Sequence, residues 1–202
     1  MSALTLFYAP GSSSLAPHIA LNEAGATFET RRFSLADKQT RTPEFLAVNP
    51  AGKVPALLID GRLLTEVAGI LFYIARRFPE ARLMPAGGIE AEAQTVSWMS
   101  FVASTVHPAF RTGADAVREA FTIAEARLAG RAWTVGDAYS IADIHLFRLP
   151  WRTRDLVNVR AGGFPALAAL YDRVHDRPAV RRTMAAEKLD GYELPVGAAP
   201  KA

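Results

Sequence analysis

The sequence predicts two folded parts of different class, an α/β domain followed by an all-helical one. Three observations predict this. Strand-like apolar runs alternate with helical segments up to residue 78, a stretch at 79–88 holds Pro79, Pro85, Gly87 and Gly88, and helical periodicity alone continues beyond it. With 202 residues, 50% of them hydrophobic, the chain can bury the cores of two small domains.

Leu4–Tyr8 is a short apolar run ended by Pro10-Gly11, which suits a buried strand and turn. Ser12, Ser13 and Ser14 are N-cap candidates for a helix to Ala24, with Gly25 as its stop. Pro17 fits the first helical turn, where no backbone donor is committed. Phe28–Phe33 is a second strand, and Thr42-Pro43 opens a short helix through Val48. Val54–Ile59 and Arg62–Leu64 form a hairpin about Asp60-Gly61. Thr65 caps a helix that buries Ile70, Leu71 and Ile74 and stops at Phe78-Pro79. The order βαβαββα fills residues 1–78, and 79–88 is a linker. Residues 89–202 form the helical domain, with helices at about 89–111, 115–129, 140–155, 164–175 and 178–187 and a frayed tail from Leu194.

Composition narrows the chemistry. Without cysteine there is no disulfide, no thiolate metal ligand and no protein thiol to act as nucleophile. Four dispersed histidines (18, 107, 145, 175) offer no metal-binding spacing, so no metal is expected. A net charge of +3 is too small an excess to indicate a nucleic-acid partner. Arg148, Arg152, Arg154 and Arg160 suit a solvated helix face, with a weak preference for anionic ligands as the alternative. No apolar run nears the roughly 20 residues that span a bilayer. The first residues suit a strand rather than a signal peptide, and a cytoplasmic protein without membrane partners is expected.

Three motifs make the case specific: Asn49-Pro50-Ala51-Gly52-Lys53-Val54-Pro55-Ala56-Leu57, then Leu64-Thr65-Glu66, then Tyr139-Ser140-Ile141-Ala142-Asp143. In this order and spacing the chain resembles the cytosolic glutathione transferases over nearly its whole length. The opening Leu6–His18 and the placement of His107 resemble, more narrowly, the bacterial beta class. The resemblance implies a thioredoxin-like first domain that binds glutathione as co-substrate, and a helical bundle that shapes the site for a hydrophobic electrophile. It also implies a homodimer and a role in detoxification.

Site residues follow from the same resemblance. A cis Val54-Pro55 bond would turn the backbone groups of Val54 toward the cysteinyl part of glutathione, as a strand edge meets a peptide. An ordinary trans proline opening a strand is the alternative. Thr65, Glu66 and Val67 mark the γ-glutamyl site: Glu66 holds the ammonium and helix N–H groups receive the carboxylate. Many relatives carry Ser where Val67 stands, so the backbone must serve alone there. Lys38 and Lys53 lie where the family places cations near the glycine carboxylate, or are plain surface lysines. Ser140 and Asp143 form a capping box and carry no chemistry.

Transfer requires the glutathione thiol to ionise near neutral pH. A free thiol has a pKa of about 8.5, and each unit of depression needs roughly 1.4 kcal/mol of preferential thiolate stabilisation. Donors at the start of the first helix are suited to this. The beta class usually carries Cys where Ser13 stands; Ser13 forgoes thiol–disulfide exchange but keeps a hydroxyl that can donate to a thiolate. Ser13 is the first choice of donor, Ser14 the second and Tyr8 the third, unless the serines only cap the helix. His107 matches a beta-class active-site histidine; as the residue before Pro108 it is expected out of helical geometry, at a local break. Phe110, Arg111 and Trp151 are candidates to line the electrophile site, or simply pack in the core. A glutathione- or ligand-binding protein without turnover is the rival reading.

Overall fold

The computed structural model describes residues 3–189 and 191–196. It divides into two compact units, Met1–Ala81 with Ala179–Asp190, and Arg82–Pro178 with Gly191–Ala202.

The first unit is built on a four-stranded sheet, β1 (Leu4–Tyr8), β2 (Glu29–Arg32), β3 (Ala56–Ile59) and β4 (Arg62–Thr65), in the order β2-β1-β3-β4. β1 and β2 run parallel, so the chain crosses over between them through helix α1 (Leu15–Glu23). β3 is antiparallel to β1, and β4 to β3. Asp60 (φ 50°) and Gly61 (φ 78°) both adopt the left-handed region that a tight two-residue hairpin demands. β2 carries Glu29, Arg31 and Arg32 exposed, and such charges on an edge discourage pairing with other chains.

Helix α2 (Pro43–Val48) begins as its sequence predicts: Thr42 Oγ1 accepts from the Phe45 N–H at 3.4 Å, and Pro43 occupies the first turn. Phe45 anchors it against Phe7 and Phe33, with ring centroids 5.7 and 4.6 Å away. Helix α3 (Val67–Arg77) buries Ile70, Leu71, Ile74 and Ala75, and Arg76 and Arg77 sit where a helix C-terminus favours cations. It starts later than expected. Thr65 ends β4 and caps nothing; Glu66, at φ 64°, stands at the N-cap.

The second unit contains α4 (Gly88–Phe101), α5 (His107–Thr112), α6 (Ala114–Leu128), α7 (Ile141–Arg152) and α8 (Pro165–His175). α7 is its axis, buried at every position from Ile141 to Pro150 and packed against α4 and α8. Its start is fixed by the capping box. Asp143 Oδ2 accepts from the N–H of Ser140 at 2.8 Å and its hydroxyl at 2.9 Å, and Asp143 Oδ1 accepts from Thr134 N–H at 2.8 Å.

Two expectations are corrected. The predicted helix 89–111 is interrupted by a π-helical turn at Val102–Val106, and His107 is helical (φ −66°, ψ −46°) rather than extended. Pro108 lacks an N–H and its ring would collide with the carbonyl four residues back; the widened turn, which contains Ser104, absorbs that conflict upstream of His107. The second correction concerns helix α9 (Pro178–Glu187), which the sequence places in the helical domain. From Ala179 onward it belongs to the first unit, because Thr183 and Glu187 bond to Asn22 and His18 of α1. Leu194 is buried in the second unit rather than frayed; the tail expected beyond Val196 lies outside the described residues.

Candidate active site

The turn from β1 into α1 sorts three chemically identical serines by their hydrogen bonds. Ser14 is fully buried and its Oγ meets both backbone groups of Ala9, accepting from N–H and donating to C=O at 3.1 Å each. Ser12 Oγ lies 2.7 Å from Ser14 Oγ and accepts from the Ser14 N–H at 3.2 Å. A hydroxyl has one proton and two acceptor sites. Ser14 spends its proton on Ala9, so the proton between the two hydroxyls comes from Ser12. Both are consumed within the turn. Ser13, half-buried, instead donates to the Val54 carbonyl at 3.2 Å.

Val54-Pro55 is a cis peptide bond. The loop that carries it is held from inside. Asn49 Nδ2 donates to the Lys53 carbonyl at 2.7 Å, and Asn49 Oδ1 accepts from Ala51 N–H at 3.1 Å. Gly52 (φ 60°) is required twice over, by its left-handed backbone and because a Cβ there would lie 2.8 Å from the Thr40 carbonyl.

Strand register gathers the other candidates. Ala56 pairs with Phe7 on one side and Thr65 on the other. Tyr8 at the end of β1, Val54-Pro55 at the entry to β3 and Thr65-Glu66-Val67 at the end of β4 therefore share one end of the sheet. Ile70 N–H donates to the Glu66 carbonyl at 3.0 Å, which starts α3, while the Glu66 side chain is exposed and caps nothing. Lys38, at φ 52°, and Lys53 are exposed. The Tyr8 hydroxyl is pushed toward its protonated form by burial and by the Glu187 carboxylate, with Arg32 opposing, and its ring packs 5.2 Å from His18.

Sequence reasoning missed one participant. Glu187 of α9 accepts the Gly11 N–H at 2.9 Å through Oε2 and contacts His18 Nδ1 at 2.7 Å through Oε1. Gly11 is the residue before Ser12, so α9 fixes the turn that presents Ser13. Nothing near Glu187 in the sequence signals this.

The helical unit holds the remaining candidates. His107 is half-buried, and burial, followed by the charges of Arg148, Arg111 and Arg152, lowers its pKa to about 4, leaving a neutral imidazole at pH 7. The Arg152 guanidinium lies 3.6 Å from the centre of the Phe110 ring. Arg111 is exposed. Trp151 packs structurally, stacked on Tyr192 at 4.0 Å and donating from Nε1 to the Gly191 carbonyl at 3.2 Å. Among the described residues, no three His, Asp or Glu side chains cluster to hold a metal.

Comparison with known proteins matches both halves of the chain. The family model "Glutathione S-transferase, N-terminal domain" matches residues 2–76, and "Glutathione S-transferase, C-terminal domain" matches residues 93–178. The glutathione S-transferase GstA of Escherichia coli O157:H7 is 33% identical over 92% of this chain and 100% of its own length. A sphingomonad glutathione S-transferase solved in complex with glutathione is 39% identical with a TM-score of 0.82, covering 92% of this chain and 99% of that one. The bacterial beta-class enzyme of Sphingomonas chungbukensis is 36% identical, with a TM-score of 0.82 and the same coverage. With both halves matched in order and a relative aligned over nearly its whole length, the chain belongs to the glutathione S-transferase family.

Proposed function

We propose that this glutathione transferase activates its co-substrate through the Ser13 hydroxyl, with Val54, Thr65, Glu66 and Val67 binding the tripeptide. The observation that carries the reading is the Ser13–Val54 hydrogen bond, which puts a hydroxyl not consumed by its own turn beside the peptide-binding carbonyl. When the cysteinyl N–H of glutathione takes the Val54 carbonyl, it displaces the Ser13 hydroxyl, which turns its proton to the adjacent sulfur. A hydrogen bond to a charged acceptor is worth about 1.5–3 kcal/mol, or one to two units of thiol pKa. The thiolate then attacks the electrophile, and the thiol proton passes to solvent.

Glu66 and the N-terminus of α3 fit the two charges of the γ-glutamyl group, an ammonium and a carboxylate. Lys38 and Lys53, both exposed cations, are assigned to the glycine carboxylate by the family resemblance. His107, Phe110 and Arg111 are assigned to the second substrate by the family resemblance. A neutral imidazole accepts or donates one hydrogen bond without adding a cation, and its depressed pKa keeps it so. No described helix is long and apolar enough to cross a membrane. We place the enzyme in the cytoplasm as a homodimer acting in detoxification, in line with the family resemblance.

The test is kinetic. Ser13→Ala should lower kcat about 10- to 100-fold while leaving glutathione affinity within about twofold, since the hydroxyl acts on the thiolate rather than on the bound tripeptide. Full turnover in Ser13→Ala together with its loss in Ser14→Ala would overturn the assignment.

A further inference from the structure

We propose that the electrophile this enzyme prefers is an anion, an aromatic ring bearing a carboxylate, received by Arg111, Arg148 and Arg152 beside His107 and Phe110. The inference rests on the reading above that α5 borders the electrophile.

Helical spacing puts these groups on two facing stripes. His145, Arg148 and Arg152 follow one another at three- and four-residue intervals on α7, and Phe110 and Arg111 stand three and four residues after His107 on α5. The Arg152 guanidinium, 3.6 Å from the Phe110 ring centre, shows that the two stripes meet. Arg148 is only 6% exposed, so its charge acts on the facing groups with little solvent screening. The charges acting on His107 are all positive, from Arg148, Arg111 and Arg152. Gathering cations around an imidazole costs free energy in the empty protein, and a bound carboxylate reverses the sign of each interaction.

His145 supplies a second observation. It is 6% exposed, its Nδ1 has no hydrogen-bond partner, and His107 and Arg148 are its electrostatic neighbours. An unsatisfied buried nitrogen costs free energy unless something in the loaded enzyme meets it. The planar guanidinium fork matches a carboxylate bidentately, and Phe110 beside it suits an aromatic neighbour.

The probes are 4-chloro-3,5-dinitrobenzoate and its methyl ester, which differ in charge at one position. In both, the glutathione thiolate forms a C–S bond at the carbon bearing chlorine, chloride leaves with the bonding pair, and the thiol proton goes to solvent. The readout is the ratio of kcat/KM for carboxylate over ester, each divided by its uncatalysed rate. A ratio of about ten is expected in the wild type, falling several-fold toward one in Arg152→Gln and in Arg111→Gln. A wild-type ratio near one, or a ratio unchanged in both variants, would overturn the inference while leaving the transferase reading intact. His107→Ala separates the two failures. If ester turnover is untouched in that variant, α5 does not border the electrophile, and the reading beneath the inference fails with it.

Discussion

Ser14 and Ser13 are neighbours of identical chemistry with opposite duties. Ser14→Ala strips the buried Ala9 amide of its partner, leaves the Ala9 carbonyl with the Ser12 N–H alone, and should cost about 1–3 kcal/mol of stability, read as a lower denaturation midpoint. Ser13→Ala removes one bond from a half-buried group and should shift stability by less than about 1 kcal/mol, so any loss of turnover in it is chemical. Equal destabilisation by both would mean that the turn does not distinguish them. Glu66→Ala should weaken glutathione binding about tenfold by calorimetry, through loss of a charge partner for the ammonium. The sequence makes all three serines cap candidates, and only closing the hydrogen bonds atom by atom leaves Ser13 facing Val54. Gly11, His18 and Glu187 lie beyond such reading altogether, since His18 and Glu187 are 169 residues apart and no local pattern links them.

Elements were more legible than residues where their signals are local. Asp60-Gly61, Thr42-Pro43 and Ser140-Asp143 each specify a turn or helix start within four residues, and the elements they bound begin within about two residues of the sequence reading, although the helix after Ser140 ends at Arg152, three residues short of the expected 155. The departures have non-local causes. Pro108 was a visible break, but whether its neighbour turns extended or the preceding turn widens depends on the packing that keeps Val102 and Val106 buried. The destination of α9 was invisible because its own periodicity records that it has an apolar face, not which unit covers that face. The buried Asp143 makes the strongest prediction at this scale. Burial pushes its carboxyl up toward the neutral form, and bonds from Thr134 and Ser140 oppose that push. Asp143→Ala would leave the backbone donors of Thr134 and Ser140 without partners, and should cost about 2–4 kcal/mol in denaturant titrations. A loss below about 0.5 kcal/mol would show that the box is ornamental.

For the molecule as a whole, His107 and His145 tie stability to pH. Burial is the leading cause in both, lowering their pKa values from 6.5 to about 4 and about 3. As pH falls below about 6.5 the unfolded chain takes up two protons that the native chain refuses, so stability is full above that point and declines toward pH 4. Denaturant midpoints at pH 7.5, 6 and 5 should fall in that order, and His145→Gln should flatten the slope; midpoints independent of pH would contradict the burial of both rings. The fold was legible as a whole because each domain's class follows from its periodicity, while the hydrogen bonds from Ser13 to Val54 and from Gly11 to Glu187 at the candidate site were not, because they join residues far apart in the chain. On the proposed mechanism a hydroxyl, in a chain without cysteine, lowers the pKa of the glutathione thiol. Thiolate absorbance of bound glutathione against pH measures it directly. A thiol pKa one to two units below that of free glutathione, recovering by about a unit or more in Ser13→Ala, is the predicted result. A bound thiol titrating with the free tripeptide, or one whose depression survives in Ser13→Ala, would contradict it.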